Sequence, residues 1–503
     1  MPILWDGRQP VERASSYKYL GVLLTECLDW SEHKQQVYNR TADALEAVRR
    51  MGVRHMQPLQ AGYVWTSLVR SCAEYATDVW SDPEDEWPEL ERLQVEMGRS
   101  VLRIDRASNH LFVLGELGWM RLATRRELSR LRYLWRLLTM TPTRWPARLF
   151  RITSGLDAGV MRNDDWFDQA PRRWVPGSWA ATSLRLAAEL GIDADLVHLH
   201  RQYSATLAIE PEAERKQAQA ALARNWDRCA RTALERRDTL QWRDAIASDG
   251  RMTAFALLCS AGSAQVSFPC KRIWELEDYL RNEDAYARRQ QTLLRYGGQQ
   301  LRVSRGRWLK LPREQRLCQL CNQPGAVEDE RHMVLHCPLY SVERERFRKQ
   351  LRAYSVHAQW GALDLSEETL FGLAMGVRPT SMIQSSVKHR KVAMSYCRHF
   401  LTTALRRRER LLASLPKPRR KKAKPEGADR SRSALAVVTE PAGAAVAEQG
   451  TYAVLIAESD DSNPELAHDH ESDLLADVDV VHLVDGDRAD EPDGESDDEA
   501  ACH

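Results

Sequence analysis

Residues 37–52, VYNRTADALEAVRRMG, decide the fold class. Val37, Thr41, Ala44, Leu45, Val48 and Met51 recur at steps of three and four, the period of a helix that buries one stripe, and Gly52 supplies the stop. The pattern continues outward. Pro58 opens a second helix with Val64, Leu68, Cys72 and Val79 on its stripe, and a third runs through Leu90, Leu93, Met97, Val101 and Ile104. A fourth, over about 124–139, turns Leu128, Leu131, Leu134, Trp135 and Leu138 inward and sets Arg125, Arg132 and Arg136 on a flanking stripe, which faces either phosphate or water. Upstream, residues 1–24 read as a β-ribbon of two short strands, Ile3-Leu4-Trp5 and 17–24. Downstream, 183–190, 213–239 and 274–294 have helical composition, with breaks near Pro171, Pro176 and Pro269, and helix resumes after the cysteine cluster, over about 346–414.

The chain has 503 residues, 43% hydrophobic, enough for two or three cores. No apolar window approaches the roughly 18 residues of a spanning helix, and Asp6 and Arg8 interrupt the start before a signal peptide could form. Secretion and membrane insertion are therefore not expected, and ten cysteines without paired spacing, one cluster excepted, suit a reducing compartment, nuclear or cytoplasmic. The net charge of +1 hides a strong asymmetry: 22 acidic and 3 basic residues follow position 425, leaving 69 basic against 49 acidic before it. A basic body with an acidic tail fits a nucleic-acid binder, because clustered Lys and Arg displace counterions from phosphate. Lys417, Arg419, Arg420, Lys421, Lys422 and Lys424 form a run suited to a nuclear import receptor, to phosphate, or simply to a solvated linker. The acidic tail beyond it is expected to be disordered, with two short apolar islands at 452–456 and 478–484.

One constellation carries chemistry. Cys318, Cys321, His332 and Cys337 stand as C-x2-C-x10-H-x4-C, a spacing in which two thiolates share a tight turn and a later imidazole and thiolate complete a tetrahedral zinc shell. His336 adjoins Cys337, and neighbouring side chains diverge, so His332 is the expected ligand. Four protein ligands leave no position for water, which makes such a zinc structural. A basic leader precedes the cluster, with Arg302, Arg305, Arg307 and Lys310 as expected polynucleotide contacts and Tyr296 and Trp308 available for base stacking. The expected fold is thus mainly α: a helical bundle with a short N-terminal β-ribbon, a small zinc-knuckle-like module and a disordered C-terminal tail.

The order of residues 301–308, Arg316-Leu317-Cys318, Val327-Glu328-Asp329-Glu330, His332 and Cys337-Pro338-Leu339-Tyr340 resembles the cassette that ends non-LTR (LINE-like) retrotransposon polyproteins. Tyr17-Lys18-Tyr19-Leu20-Gly21-Val22, then Trp30 and His33, resembles the strand and turn leaving a reverse-transcriptase palm in that family. Glu74-Tyr75, Val79-Trp80, Leu90-Glu91-Arg92-Leu93-Gln94 and Gly115-Glu116-Leu117-Gly118-Trp119 resemble its thumb-side helices. The resemblance covers about 17–140 and 295–345. It implies a palm-like ribbon over 1–35, a thumb-like bundle over 36–140 and the zinc module with its leader over 297–345; outside it, composition and periodicity leave a helical region of unassigned role over 141–296, C-terminal helices over 346–414, and the basic run and tail over 415–503.

The family's polymerase holds two magnesium ions on a Tyr/Phe-x-Asp-Asp turn and an upstream Asp. The sequence contains no such turn; its Asp pairs are Asp164-Asp165, Asp460-Asp461 and Asp497-Asp498. No catalytic residue is assigned, and the chain reads as starting after the palm, so polymerase activity would need an upstream polymerase fragment. The expected function is binding of RNA or DNA. The alternative is a zinc-stabilised scaffold whose acidic tail recruits a partner, with 478–484 resembling a SUMO-interacting strand.

Overall fold

The computed structural model describes residues 3–5, 9–11, 14–27, 29–80, 87–154, 178–259, 273–357, 365–377 and 387–415. Strand β1 (Ile3–Trp5) pairs antiparallel with β2 (Gln9–Val11), Ile3 opposite Val11. The run expected as one strand over 17–24 instead folds back on itself, as β3 (Ser16–Tyr19) and β4 (Val22–Thr25) with Tyr19 opposite Val22. Leu20 and Gly21 are the cause: their φ values of +46° and +87° make the two-residue turn with positive φ at both positions that matches strand twist. A Cβ at Gly21 would also meet the Tyr75 ring at 3.0 Å, and the Tyr75 hydroxyl donates to the Leu20 carbonyl.

Helix α1 (Ser31–Arg50) buries Val37, Thr41, Leu45 and Val48 as the periodicity predicts, and Gly52 follows in the left-handed region at φ +74°. Met51 is 59% exposed, because it sits at the C-cap after the stripe has ended. The second helix corrects its predicted stripe. α2 (Pro58–Val64) passes through a π-helical turn (Trp65–Arg70) into α3 (Ser71–Glu74), and the buried residues are Ala61, Trp65, Val69 and Ala73. Leu68 and Val79, expected inside, are exposed. Two apolar rows lie side by side here, and the row carrying Trp65 wins, its indole stacked on Trp119 at 5.3 Å. Four-residue steps drift around an ordinary helix, and the wider π turn keeps them on one face.

After α4 (Thr77–Trp80), helix α5 (Pro88–Leu102) buries Leu90, Leu93, Met97 and Val101, and Arg103 ends it at φ +55°, so Ile104 lies beyond the helix. α6 (His110–Leu117) starts at Asn109, whose Oδ1 accepts from the Leu111 and Phe112 amides at 2.9 and 3.3 Å. α7 (Leu122–Thr139) buries Leu128, Leu131, Leu134 and Trp135, with Leu138 partly buried against the same core. α8 (Trp145–Thr153), α9 (Trp179–Glu189) and α10 (Asp193–Thr206) complete this half.

α11 (Glu212–Ser248) is 37 residues long, about 55 Å, and buries Leu222, Trp226, Ala230, Leu234, Asp238, Trp242 and Ile246. Steps of four wind that stripe around the helix. Trp226 Nε1 therefore donates to the Leu131 carbonyl in the bundle at 2.8 Å, whereas Trp242 packs on Phe255 of α12 (Thr253–Cys259). The 274–294 stretch is not the continuous helix its composition suggested. A 3-10 turn (Asp278–Arg281) comes first, and Asp284 then caps α13 (Ala285–Tyr296) by accepting from the Tyr286 and Ala287 amides. Pro171, Pro176 and Pro269 lie outside the described residues.

The C-terminal part packs α14 (Arg302–Trp308), α15 (Ser341–His357), α16 (Glu367–Ala374) and α17 (Val387–Ser414) around one core containing Leu301, Val303, Met333, Phe371 and the stacked rings of Phe347 and Phe400. Buried Arg295 ties this part to the bundle, donating to Glu116 Oε1 at 2.9 Å and to the Met375 carbonyl at 2.6 Å. The chain is mostly helical, with a short β entry, as expected. Helix ends at Ser414 as the sequence predicts. The basic run 417–424, the tail with its apolar islands, and the three Asp-Asp pairs lie outside the described residues. No described helix is long and apolar enough to cross a membrane.

Candidate metal centre

The Cys-x-x-Cys turn is closed by backbone pairing. Leu317 and Val327 form an antiparallel bridge, the Cys318 amide donates to the Ala326 carbonyl at 2.8 Å, and the Glu328 amide donates to the Arg316 carbonyl at 2.9 Å. Asn322 and Gly325 turn the chain at φ +51° and +71°. The second half of the site is a π-helical turn (His332–His336), begun by Asp329, whose Oδ1 accepts from the His332 amide at 2.9 Å. The Cys337 amide donates to the His332 carbonyl at 2.6 Å, which swings Cys337 back beside His332.

Cys318 Sγ, Cys321 Sγ, a ring nitrogen of His332 and Cys337 Sγ consequently lie within 4.8 Å of one another and could hold a metal ion. The Cys321 Sγ to His332 Nε2 distance is 3.5 Å. A tetrahedron with bonds of about 2.3 Å has edges of about 3.8 Å, so the donor set needs only a slight contraction to close on such an ion. His336 is half exposed, 3.8 Å from Glu367, and outside the cluster. The thiols hydrogen-bond to one another. The Cys337 thiol, His332 and the amides of Cys321 and Leu320 hydrogen-bond to Cys318 and push its pKa down to about 3. Cys337 is pushed well up by its bond to Cys318 and by burial, and burial raises Cys321. A cation would replace the hydrogen-bonded protons with one concentrated charge.

Two members of the Glu-Asp-Glu run have partners that explain them, and the third, Glu330, is buried with its Oε1 unpartnered. Glu328 accepts from the Arg302 amide at 2.9 Å and forms a buried ion pair with Arg408 of α17, also at 2.9 Å. Asp329 caps the His332 turn and pairs with Arg313 at 2.6 Å. Glu330 is buried, and burial pushes its carboxyl up to about 7. Arg344 of α15 donates to the Val334 and Cys337 carbonyls at 2.9 and 2.7 Å. Arg344 and Arg408 were missed from the sequence, where nothing in their spacing marks them as partners of residues 7 and 80 positions away.

The predicted polynucleotide contacts divide. Arg125 is ion-paired with Glu74, and Arg132 with Asp227 at 2.6 Å, so two of the three arginines predicted on α7 as contacts are engaged inside the chain, while Arg136 is exposed. In the leader, Arg305 and Lys310 are exposed, Arg302 is half-buried, and Arg307 is half-buried with a bond to the Gly250 carbonyl. Of the two aromatics, Tyr296 is core, 1% exposed, because Phe112 and Phe255 close around it; Trp308 is 85% exposed.

Fold and site together define a mostly helical protein that carries, in its C-terminal part, a Cys3His cluster able to hold a metal ion. No family model matches the chain, no curated protein matches it, and no solved structure matches its fold.

Proposed function

We propose that the chain is the zinc-binding, nucleic-acid-binding C-terminal part of a non-LTR retrotransposon reverse transcriptase. The observation that carries this reading is the convergence of Cys318, Cys321, His332 and Cys337 from a cassette whose residue order resembles that family's. Three thiolates and one imidazole favour zinc over magnesium or calcium, and the four-ligand shell makes the ion structural. The zinc would hold residues 316–340 in place, and with them Glu328, which anchors the start of α14 through the Arg302 amide. The exposed face of α14 and the turn after it then offer Arg305, Trp308 and Lys310 to RNA or DNA, the cations meeting phosphate and the indole a base. Polymerisation would need carboxylates supplied by an upstream polymerase fragment.

The test is metal content together with polynucleotide binding. One zinc per chain is expected, lost in Cys318→Ser and His332→Ala and kept in His336→Ala. Affinity for RNA or DNA should fall steeply between low and physiological salt. A metal-free chain with all four ligands reduced, or affinity indifferent to salt, overturns the reading.

A further inference from the structure

Beside α14 lies a cleft of about 360 Å³, whose walls include Asp105, Arg251, Gly297, Arg305, Arg307 and Trp308. Its parts come from three distant stretches of chain. The floor is the end of α13, where Gly297 at φ +68° presses so close to the 251 turn that a Cβ would stand 1.9 Å from the Arg251 carbonyl oxygen. Arg251 is fixed as a wall: Asp249 holds it at 2.7 and 2.9 Å, the Ala107 carbonyl accepts from it at 2.6 Å, and its guanidinium lies over the Tyr296 ring. Arg307 is tethered by the Gly250 carbonyl, and burial pulls its pKa below the ordinary value. Arg305 and Trp308 form the lip, both exposed.

We infer that this cleft is a subsite for one nucleotide of a single-stranded polynucleotide, with the phosphate on Arg305 and Arg307 and the base stacked on Trp308. The inference rests on the nucleic-acid reading above and narrows it. Asp249 neutralises Arg251, which leaves Arg305 and Arg307 against the carboxylate of Asp105, so the cleft attracts an anion. Its volume lies at the small end of the range for ligand pockets, on the order of one nucleotide. An indole 85% exposed three residues from a free guanidinium presents a flat apolar face next to a phosphate donor, the pairing that single-strand binders use. A base inside a duplex is already stacked on both faces and cannot reach it, so the cleft selects single strands.

The experiment measures binding of labelled single-stranded RNA, single-stranded DNA and duplex DNA of the same sequence to the zinc-loaded full chain, with zinc content determined for every variant. Trp308→Ala, at a position too exposed to disturb packing, should weaken single-strand binding on the order of tenfold, leave duplex binding and zinc unchanged, and be partly restored in Trp308→Phe. Arg305→Ala should weaken single strands and duplex alike. Single-strand affinity unaltered in Trp308→Ala, or lowered equally for single strand and duplex, overturns the subsite while the wider reading stands. A zinc-loaded wild-type chain that binds no polynucleotide overturns both.

Discussion

Helices α7 and α14 are both rich in arginine, yet the chain uses them in opposite ways. On α7, Arg125 reaches Glu74, Arg132 reaches Asp227, and Arg130 donates to Ser183 Oγ at 2.7 Å and to the Trp179 carbonyl at 3.1 Å. These guanidinium groups staple α7 to its neighbours. On α14, Arg305 faces solvent beside Trp308, and the helix itself is held by backbone bonds to Glu328. A basic helix is therefore left free to offer its guanidinium groups to a partner only where the fold does not pair them with its own acids, and on α7 those acids lie far away in sequence.

The largest expected difference between the two regions comes from removing a ligand of the proposed zinc. Cys318→Ser should abolish stoichiometric zinc and strip hydrogen-exchange protection from about 297–357, while α1, α5 and α7 keep theirs. A structural zinc contributes on the order of 10 kcal/mol in isolated zinc modules, far more than any one contact in the bundle. Protection lost evenly along the chain would show that the two regions are one cooperative unit.

Next in size is the Glu328–Arg408 pair, both partners buried. Removing one partner leaves the other charge buried without compensation, a cost of about 3–5 kcal/mol. Arg408→Met should lower the denaturation midpoint accordingly, and Glu328→Gln in the same chain should recover part of the loss. An exposed pair such as Arg132–Asp227 contributes at most about 1 kcal/mol, so Arg132→Ala should leave the midpoint almost unmoved. If the two single variants are equally destabilised, the contrast between a buried staple and a surface one is wrong.

What the sequence revealed follows the same division between local and distant. The stripe of α1 was legible because one apolar row stands against a polar background, and the Cys/His cluster because its short spacing brings four metal-binding side chains within reach of one another. The face of α2 was not, since Val64, Leu68 and Cys72 compete with Ala61, Trp65 and Val69, and only the Trp119 ring across the bundle decides. The engagement of Arg125 and Arg132 was hidden as well, because Glu74 and Asp227 lie 51 and 95 residues away.

A smaller effect separates the arginines themselves. Arg305→Ala should reduce the slope of log affinity against log salt by about 1, as expected for one lost phosphate contact, and Arg132→Ala should leave it unchanged. A matching drop in both would place α7 on the polynucleotide after all and remove the distinction between the helices.

The smallest effect lies in the bundle and depends on pH. His33 is fully buried, its Nδ1 accepting from the Leu23 amide at 3.2 Å and its ring edge-on to Trp80 at 4.8 Å, so it pins β4 to α1. Burial, helped by Arg40, holds its pKa below the ordinary 6.5. As pH falls through 6.5 the unfolded chain takes up a proton that the folded chain refuses, so the stabilisation present above that pH is lost as the solution becomes more acid. One such group costs at most about 1.4 kcal/mol per pH unit. His110 and His200 are shifted in the same direction by burial, and the informative quantity is therefore the difference between His33→Gln and wild type. With zinc in excess, that variant should lose less stability than wild type between pH 7.5 and 5.5, and the protection of the Leu23 amide, relative to its intrinsic exchange rate at each pH, should no longer fall with acid. Equal losses in the two proteins would mean that His33 accepts its proton without leaving the core, and that the hairpin is held by the Tyr75 bond to Leu20 instead.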